Sequence, residues 1–395
     1  MRRAWLALAA VLLVCTACGK APVGHTNATV TPDGTITTTT TTAMVTTTTT
    51  TIPRVTIDGV TYVGDAEAGL TAADFELPLR GATGWASVEM TLYRDINLTT
   101  KIADWAPGTA FTVLVAATDD VWQVRDENGT EGYVENVCCY LNIADVIPSI
   151  VLDNTNSYTS AFLSSGKEIP TITGEQLYDA KEYNPRLERE EYMVGCNWRM
   201  VQRIYEAQQL ALAAGYTLVI NEAFRPMDVQ LDIAAALQEL YDTDPEVKAG
   251  IETGPWYIGW FIANRPSTHQ MGCAIDTSLA KVTEVTYRLC GDYRYREVTG
   301  IAPCVMPTPI HELSAAAVSM TKPFSSTVPD AWKGATPAKS MTDAALRLRE
   351  FCTAAGMDPI ASEWWHFNDL HTKAVIGDRY PTDAFRLDTC VSEKP

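Results

Sequence analysis

No stretch of this 395-residue chain is rich in lysine and arginine, and the formal net charge is −18. Without a basic surface there is little to neutralise a phosphate backbone, which argues against nucleic acid as a partner. After the first twenty residues no segment is apolar over the roughly eighteen residues that a membrane-spanning helix needs. Beyond those residues there is no Cys-x-x-Cys pair and no Cys/His spacing of a cysteine-ligated metal site. Histidine is scarce, five in all, so two that fall in compact polar motifs stand out. Apolar and aromatic side chains are plentiful: 46% of residues are hydrophobic, with ten Trp and sixteen Tyr, enough for a sizeable core in two or three domains.

The N-terminus has the order of a secretion signal. Arg2 and Arg3 precede an apolar run from Trp5 to Val14, too short to span a bilayer. Cys15-Thr16-Ala17-Cys18-Gly19 resembles a bacterial lipoprotein cleavage site, which makes residues 1–18 the signal peptide and Cys18 the lipidated residue. The expectation is an extracytoplasmic lipoprotein held at the cell membrane; cleavage near Ala17 with full release is the alternative. Residues 19–55 carry threonine runs at 37–42 and 46–51 and read as a disordered stalk, with a threonine β-ladder as the weaker alternative. Eight cysteines remain after Cys15 and Cys18, an even number that suggests disulfides in an exported chain. Cys290 and Cys304 bracket a short segment and are the expected pair.

Residues 56–146 read as short strands. Val55 to Val63 alternates around Asp58-Gly59. Phe111 to Val115, Val121 to Arg125 and Gly132 to Val134 follow, the last two joined by a turn at Glu127-Asn128-Gly129. This order resembles a bacterial SH3-type domain. The resemblance implies a small all-β barrel that binds peptidoglycan peptides; a spacer packed on the rest of the chain is the alternative. From 148 to 395 the pattern is mixed. Met200, Val201, Ile204, Ala207, Leu210, Ala211 and Ala214 recur at helical spacing, and Gly215 stops them. A buried strand, Thr217 to Ile220, leads into Asn221 to Pro226. Helices are expected over Asp228 to Leu240 and over Met341 to Ala355, the latter capped by Thr342 and stopped by Gly356.

Chemistry concentrates in two motifs, Ser267-Thr268-His269-Gln270-Met271-Gly272-Cys273-Ala274-Ile275-Asp276 and Glu363-Trp364-Trp365-His366. A zinc hydrolase needs three protein ligands and one open position for water. His269 and Asp276 can converge on one ion if the chain turns between them, which Gly272 and Ala274 permit, and His366 supplies a third ligand. Glu363 stands close enough to act as a base without binding the ion. Trp364 and Trp365 are expected to wall the site and keep it dry. Arg225, at the end of a buried strand, is a permanent cation suited to a developing oxyanion, or to a structural salt bridge with Glu222 or Asp228.

With these residues and the Phe224-Arg225-Pro226 element, the stretch from about 150 to 375 resembles the zinc D-Ala-D-Ala dipeptidases. That family includes vancomycin-resistance dipeptidases and belongs to the larger group of zinc D,D-peptidases. The resemblance implies an α+β fold with a central, mostly antiparallel sheet. It implies Zn2+ on His269, Asp276 and His366, Glu363 as general acid and base, Arg225 on the oxyanion and Ser267 bonded to substrate. The gap between Asp276 and Glu363 is longer than in compact members, so an insertion is expected around 285–303, stapled by Cys290 and Cys304. His311 falls where the family has an aspartate for the dipeptide's free amine, with Glu312 beside it as the candidate anion. His311-Glu312 is not a zincin motif, because Ala315 stands where the second histidine would be. His25 and His371 are given no role. The expected activity is hydrolysis of D-Ala-D-Ala in cell-wall peptide turnover. Trimming of stem peptides by a D,D-carboxypeptidase, and wall binding by an inactive protein, are the alternatives.

Overall fold

The computed structural model describes residues 26–30, 35–40, 48–51, 54–57, 59–63, 75–381 and 384–387. The signal segment and Cys18 lie outside them. Residues 1–53 and 54–395 are two compact units. In the first, the strands Thr26–Val30, Thr35–Thr40 and Thr48–Thr51 pair antiparallel in chain order. Threonine is β-branched and suits an extended, pleated backbone. Part of the segment expected as a structureless stalk is therefore strand.

The second unit is mixed α and β, with two large, mostly antiparallel sheets. The first sheet has eight strands. It runs from Gly195–Asn197 through Cys139–Asn142, Thr83–Ala86, Ala110–Ala116, Val121–Asp126 and Glu131–Glu135 to Met90–Tyr93 and Lys101–Trp105. Its 121–135 hairpin turns where expected: Gly129 has φ +80°, and Asp126 Oδ1 accepts the amides of Asn128 at 3.0 Å and Thr130 at 2.8 Å. The boundary expected near residue 147 does not divide two bodies. The edge strand Gly195–Asn197 comes from beyond it, and one apolar core runs from Phe75 to Leu387.

The second sheet carries the site. Tyr216–Glu222 lies parallel to Val151–Leu152 and antiparallel to the long strand Ala274–Cys290. On its other side the first part of the long strand pairs with His366–Asn368, which pairs with Asp358–Pro359. The far part turns at Gly291 and returns as Tyr293–Pro303. Residues 285–303 are thus a hairpin rather than a stapled insertion. Cys290 sits at its tip, opposite Tyr293, while Cys304 lies at its base, its amide bonded to Leu279 O at 3.0 Å. Both are free thiols, as are all seven described cysteines. The strand ladder, not a covalent bond, holds the segment.

The helix Trp198–Ala213 packs on this sheet. Asn197 caps it, its side chain accepting from Arg199 N at 3.1 Å, and Gly215 ends it at φ +80°. Its buried face differs from the expected one at three places, the first being Ala214, which is exposed just past the helix end. Leu210 is exposed, whereas Gln208 is buried, its amide spent on Ser149, Thr217 and the amide of Leu218. The helices Met227–Thr243 and Asp343–Ala354 occupy the other expected stretches, with Thr342 Oγ1 accepting from Ala345 N at 3.2 Å.

Gly272 fixes the turn that brings the His269 loop into the Ala274 strand. Its φ is +63°, and a Cβ there would lie 2.6 Å from Asn197 N and 2.6 Å from Tyr140 Cε1. Gly272→Ala combines left-handed strain with overpacking and is expected to cost about 2–4 kcal/mol. A urea midpoint lowered at constant slope checks this; an unchanged midpoint contradicts it.

Candidate metal centre

Three neighbouring strands place a row of polar side chains on one face of the second sheet. Glu222 stands opposite Asp276, and Asp276 opposite His366. A register shift between Ile220 and Glu222 turns the strand end toward this row. Just before the long strand, Thr268 O accepts the Cys273 amide at 2.9 Å, and Tyr140 Oη donates to Gln270 O. The loop so held sets His269 above the row.

His269 Nε2, His366 Nδ1 and Asp276 Oδ1 face one another. The separations are 3.2 Å between the two nitrogens, 3.0 Å from Asp276 to His366 and 3.4 Å from Asp276 to His269. All three residues are at most 8% exposed. The outer ring nitrogens set the tautomers: His269 Nδ1–H donates to Ala223 O at 2.6 Å, and His366 Nε2–H donates to Asn368 Oδ1 at 3.0 Å. That leaves two imidazole lone pairs and a carboxylate oxygen converging on one point. Such lone pairs repel unless a cation or a proton lies among them, so the group can hold a metal ion.

The outer oxygen of Asp276 is held separately. Arg225 Nη2–H donates to Oδ2 at 3.0 Å, and His311 Nε2 lies 3.2 Å from the same atom. Arg225 also donates to Glu222 through Nε–H at 2.6 Å and through Nη2–H, and to Gln230 Oε1 through Nη1–H at 2.6 Å. These bonds leave one N–H on Nη1 for a further acceptor in the cavity that Arg225 lines. Both the oxyanion role and the structural ion pair expected of Arg225 are therefore compatible in one side chain, and the pair engages Glu222 and Asp276, not Asp228. Glu222, Asp276 and His311 also lie within ligand distance of one another. The Arg225 guanidinium already supplies the positive charge there.

Burial alone would raise the Asp276 carboxyl, but His269, His311 and His366 hold it well below the usual carboxylate range. Burial pulls His269 down, whereas the bond to Asp276 lifts His366 above its ordinary value against burial. Glu363 has no such support. It is 8% exposed, with Oε2 3.9 Å from His366 Nδ1, and burial pushes it up to about 8.

The remaining expected residues divide. Ser267 lines the cavity, and its Oγ–H donates to Gln270 Oε1 at 2.9 Å while accepting from His269 N at 3.3 Å, so it also shapes the loop. Trp365 lines the cavity, but Trp364 turns into the core and donates from Nε1 to Thr308 Oγ1 at 2.9 Å. Glu312 does not reach the cavity. Its oxygens accept the amides of Ser165 at 2.5 Å and Gly166 at 3.0 Å, capping a tight turn. His311, with φ +61°, stacks on Phe162 at 4.3 Å between centroids and faces Asp276. Cys273, inside the first motif, is a core residue. Asn368 was not expected. Its position two residues beyond His366, on the same face of a strand, was the available signal.

A pH dependence follows from Glu363. In the folded chain it keeps its proton to about pH 8, whereas its ordinary value is 4.5. The folded state binds the extra proton, so this stability is present at low pH and is lost as pH rises from 4.5 through about 8. In the metal-free protein Glu363→Gln should match wild type near the lower value, gain on it as pH rises, and level off above the upper one. Denaturant titrations at a series of pH values check this, and a pH-independent difference contradicts it. Comparison of the chain with family models and with curated proteins finds no match, so the reading of this site rests on its own geometry.

Proposed function

We propose that the protein is an exported zinc metallopeptidase that hydrolyses the amide bond of D-Ala-D-Ala termini in cell-wall peptide turnover. The observation that carries the reading is the convergence of His269, Asp276 and His366 beside the buried carboxylate of Glu363. Tetrahedral ligands at zinc distances lie about 3.3–3.4 Å apart. The three separations here, 3.0, 3.2 and 3.4 Å, fit that spacing before any adjustment on binding. Zinc, when bound, supplies Lewis acidity and lowers the pKa of water.

The chain's own residues supply the rest. Glu363, raised toward neutrality, can accept a proton from water and return it to the leaving amine. The free N–H of Arg225 Nη1 can receive the carbonyl oxygen as negative charge develops on it. Asn368 and Ala223 hold the two imidazoles with their inner nitrogens facing the ion. Trp365 walls the cavity and limits water, which strengthens the electrostatics within. In this reading residues from about 150 form a zinc D,D-peptidase fold. The sheet built largely from residues 83–142 corresponds to an SH3-type element for peptidoglycan, and Cys18 is the lipid anchor. The position of Glu312 favours a second reading, a D,D-carboxypeptidase, because a free dipeptide needs an anion for its amine and this carboxylate is spent on a turn.

The test is release of D-alanine by the zinc-loaded soluble protein from D-Ala-D-Ala and from a muramyl pentapeptide. Release from either is expected, with Glu363→Ala lowering the rate about 10²-fold or more. No release from both, with zinc bound, contradicts the proposal.

A further inference from the structure

The cavity that opens on His269, Asp276 and His366 is also lined by Arg265 and Lys373. They come from separate segments. Arg265 lies in the loop leading to Ser267, and Lys373 in the helix Leu370–Gly377 that follows the His366 strand. Burial holds the Lys373 ammonium below its ordinary 10.5; Cys273 opposes this and the like charge of Arg265 adds to it, so the two cations feel one another. Among the described residues neither forms an ion pair, unlike Arg225 in the same cavity. Asp369, the acid nearest Lys373 in the chain, is spent as the helix cap: its oxygens accept from Thr372 N at 2.9 Å and Thr372 Oγ1 at 2.6 Å. Among the described residues the only carboxylates lining the cavity are Asp276 and Glu363, both at the metal end. Two like charges facing one cavity without a counter-charge repel each other, and an incoming anion relieves that repulsion.

We propose that Arg265 and Lys373 form a subsite for a carboxylate of the substrate, and that the substrate is an acylated peptide rather than the free dipeptide. The proposal deepens the peptidase reading above and rests on it for the word substrate. The second half follows from the same inventory, since the cavity holds two unpaired cations and no spare anion for a free amine. The carboxylate has two sources in such a peptide: its C-terminus, or an acidic side chain further along.

The test is calorimetric binding to the zinc-loaded, full-length Glu363→Gln protein, in which binding is read without turnover. The ligands are an N-acetylated tripeptide ending in D-Ala-D-Ala, its C-terminal amide, the same amide with a glutamyl residue as its sole carboxylate, and free D-Ala-D-Ala. Arg265→Gln or Lys373→Gln is expected to raise the Kd of a carboxylate-bearing peptide about tenfold or more. Binding of the carboxylate-free amide should be unchanged, and Arg265→Lys should restore much of the loss. Whichever carboxylate-bearing peptide responds identifies the source. A metal content equal to that of the parent shows that each variant is folded. Unchanged Kd values overturn the subsite, and tighter binding of free D-Ala-D-Ala than of the acylated acid overturns the substrate assignment. D-alanine release by the wild-type chain, run in parallel, separates the two levels. Carboxylate-dependent binding without release keeps the subsite and removes the peptidase reading; release with unchanged Kd values does the reverse.

Discussion

The site depends on one buried charge. Asp276 is 1% exposed, and a carboxylate taken that far from water costs several kcal/mol unless its oxygens are fully engaged. Both oxygens are. Oδ1 faces His269 and His366, and Oδ2 takes Arg225 and His311. One oxygen looks toward the point where an ion could be held and the other toward a fixed cation, so the two environments do not compete. Arg225 is in turn neutralised by Glu222, and Glu222 accepts from Asn156 at 2.7 Å and from Tyr178 at 2.7 Å. The network reaches from the loop at 154–157 through three strands without leaving either oxygen of Asp276 unpaired.

The fold makes this possible by cross-strand pairing. Glu222, Asp276 and His366 are direct neighbours in register, so their side chains leave the sheet on one face within reach of one another. A slip of one residue in either strand would send the row to the opposite face. The hydrophobic pattern guards against it: Ile275 and Phe367, the residues between, are buried on the other face. Glu363 stands outside the network. It is buried with only the 3.9 Å approach to His366 to offset the burial, which leaves it the carboxylate at the site able to take and give a proton near neutral pH.

What could be read from the sequence was local. The helix Trp198–Ala213 follows from its period and Gly215; the turn at Gly129 and the cap at Thr342 follow from single side chains. The candidate group of His269, Asp276 and His366 was legible because each motif spans a few residues around a turn or a strand, and because histidine is rare. Apart from the threonine strands, the misreadings concern the partner a residue meets across the fold. Glu312 was expected at the cavity, but the left-handed backbone at His311 and the turn at Ser165-Gly166 direct it elsewhere. Cys290 and Cys304 have a spacing that suits a staple, yet they sit at opposite ends of a hairpin. Gln208 displaces Leu210 from the buried face because Ser149 and Thr217 satisfy its amide. The pairing of Cys139–Asn142 with Gly195–Asn197 joins segments distant in sequence, and no local pattern announces it.

The central claim is that two imidazoles and one carboxylate of this chain share a single ion. X-ray absorption at the zinc edge of the protein loaded with one equivalent of zinc tests it most directly. The account predicts two imidazole nitrogens and light oxygen ligands, all at about 2.0–2.2 Å, with no sulfur. A shell of sulfur at about 2.3 Å, or fewer than two imidazoles, would place the metal on other residues and contradict the account.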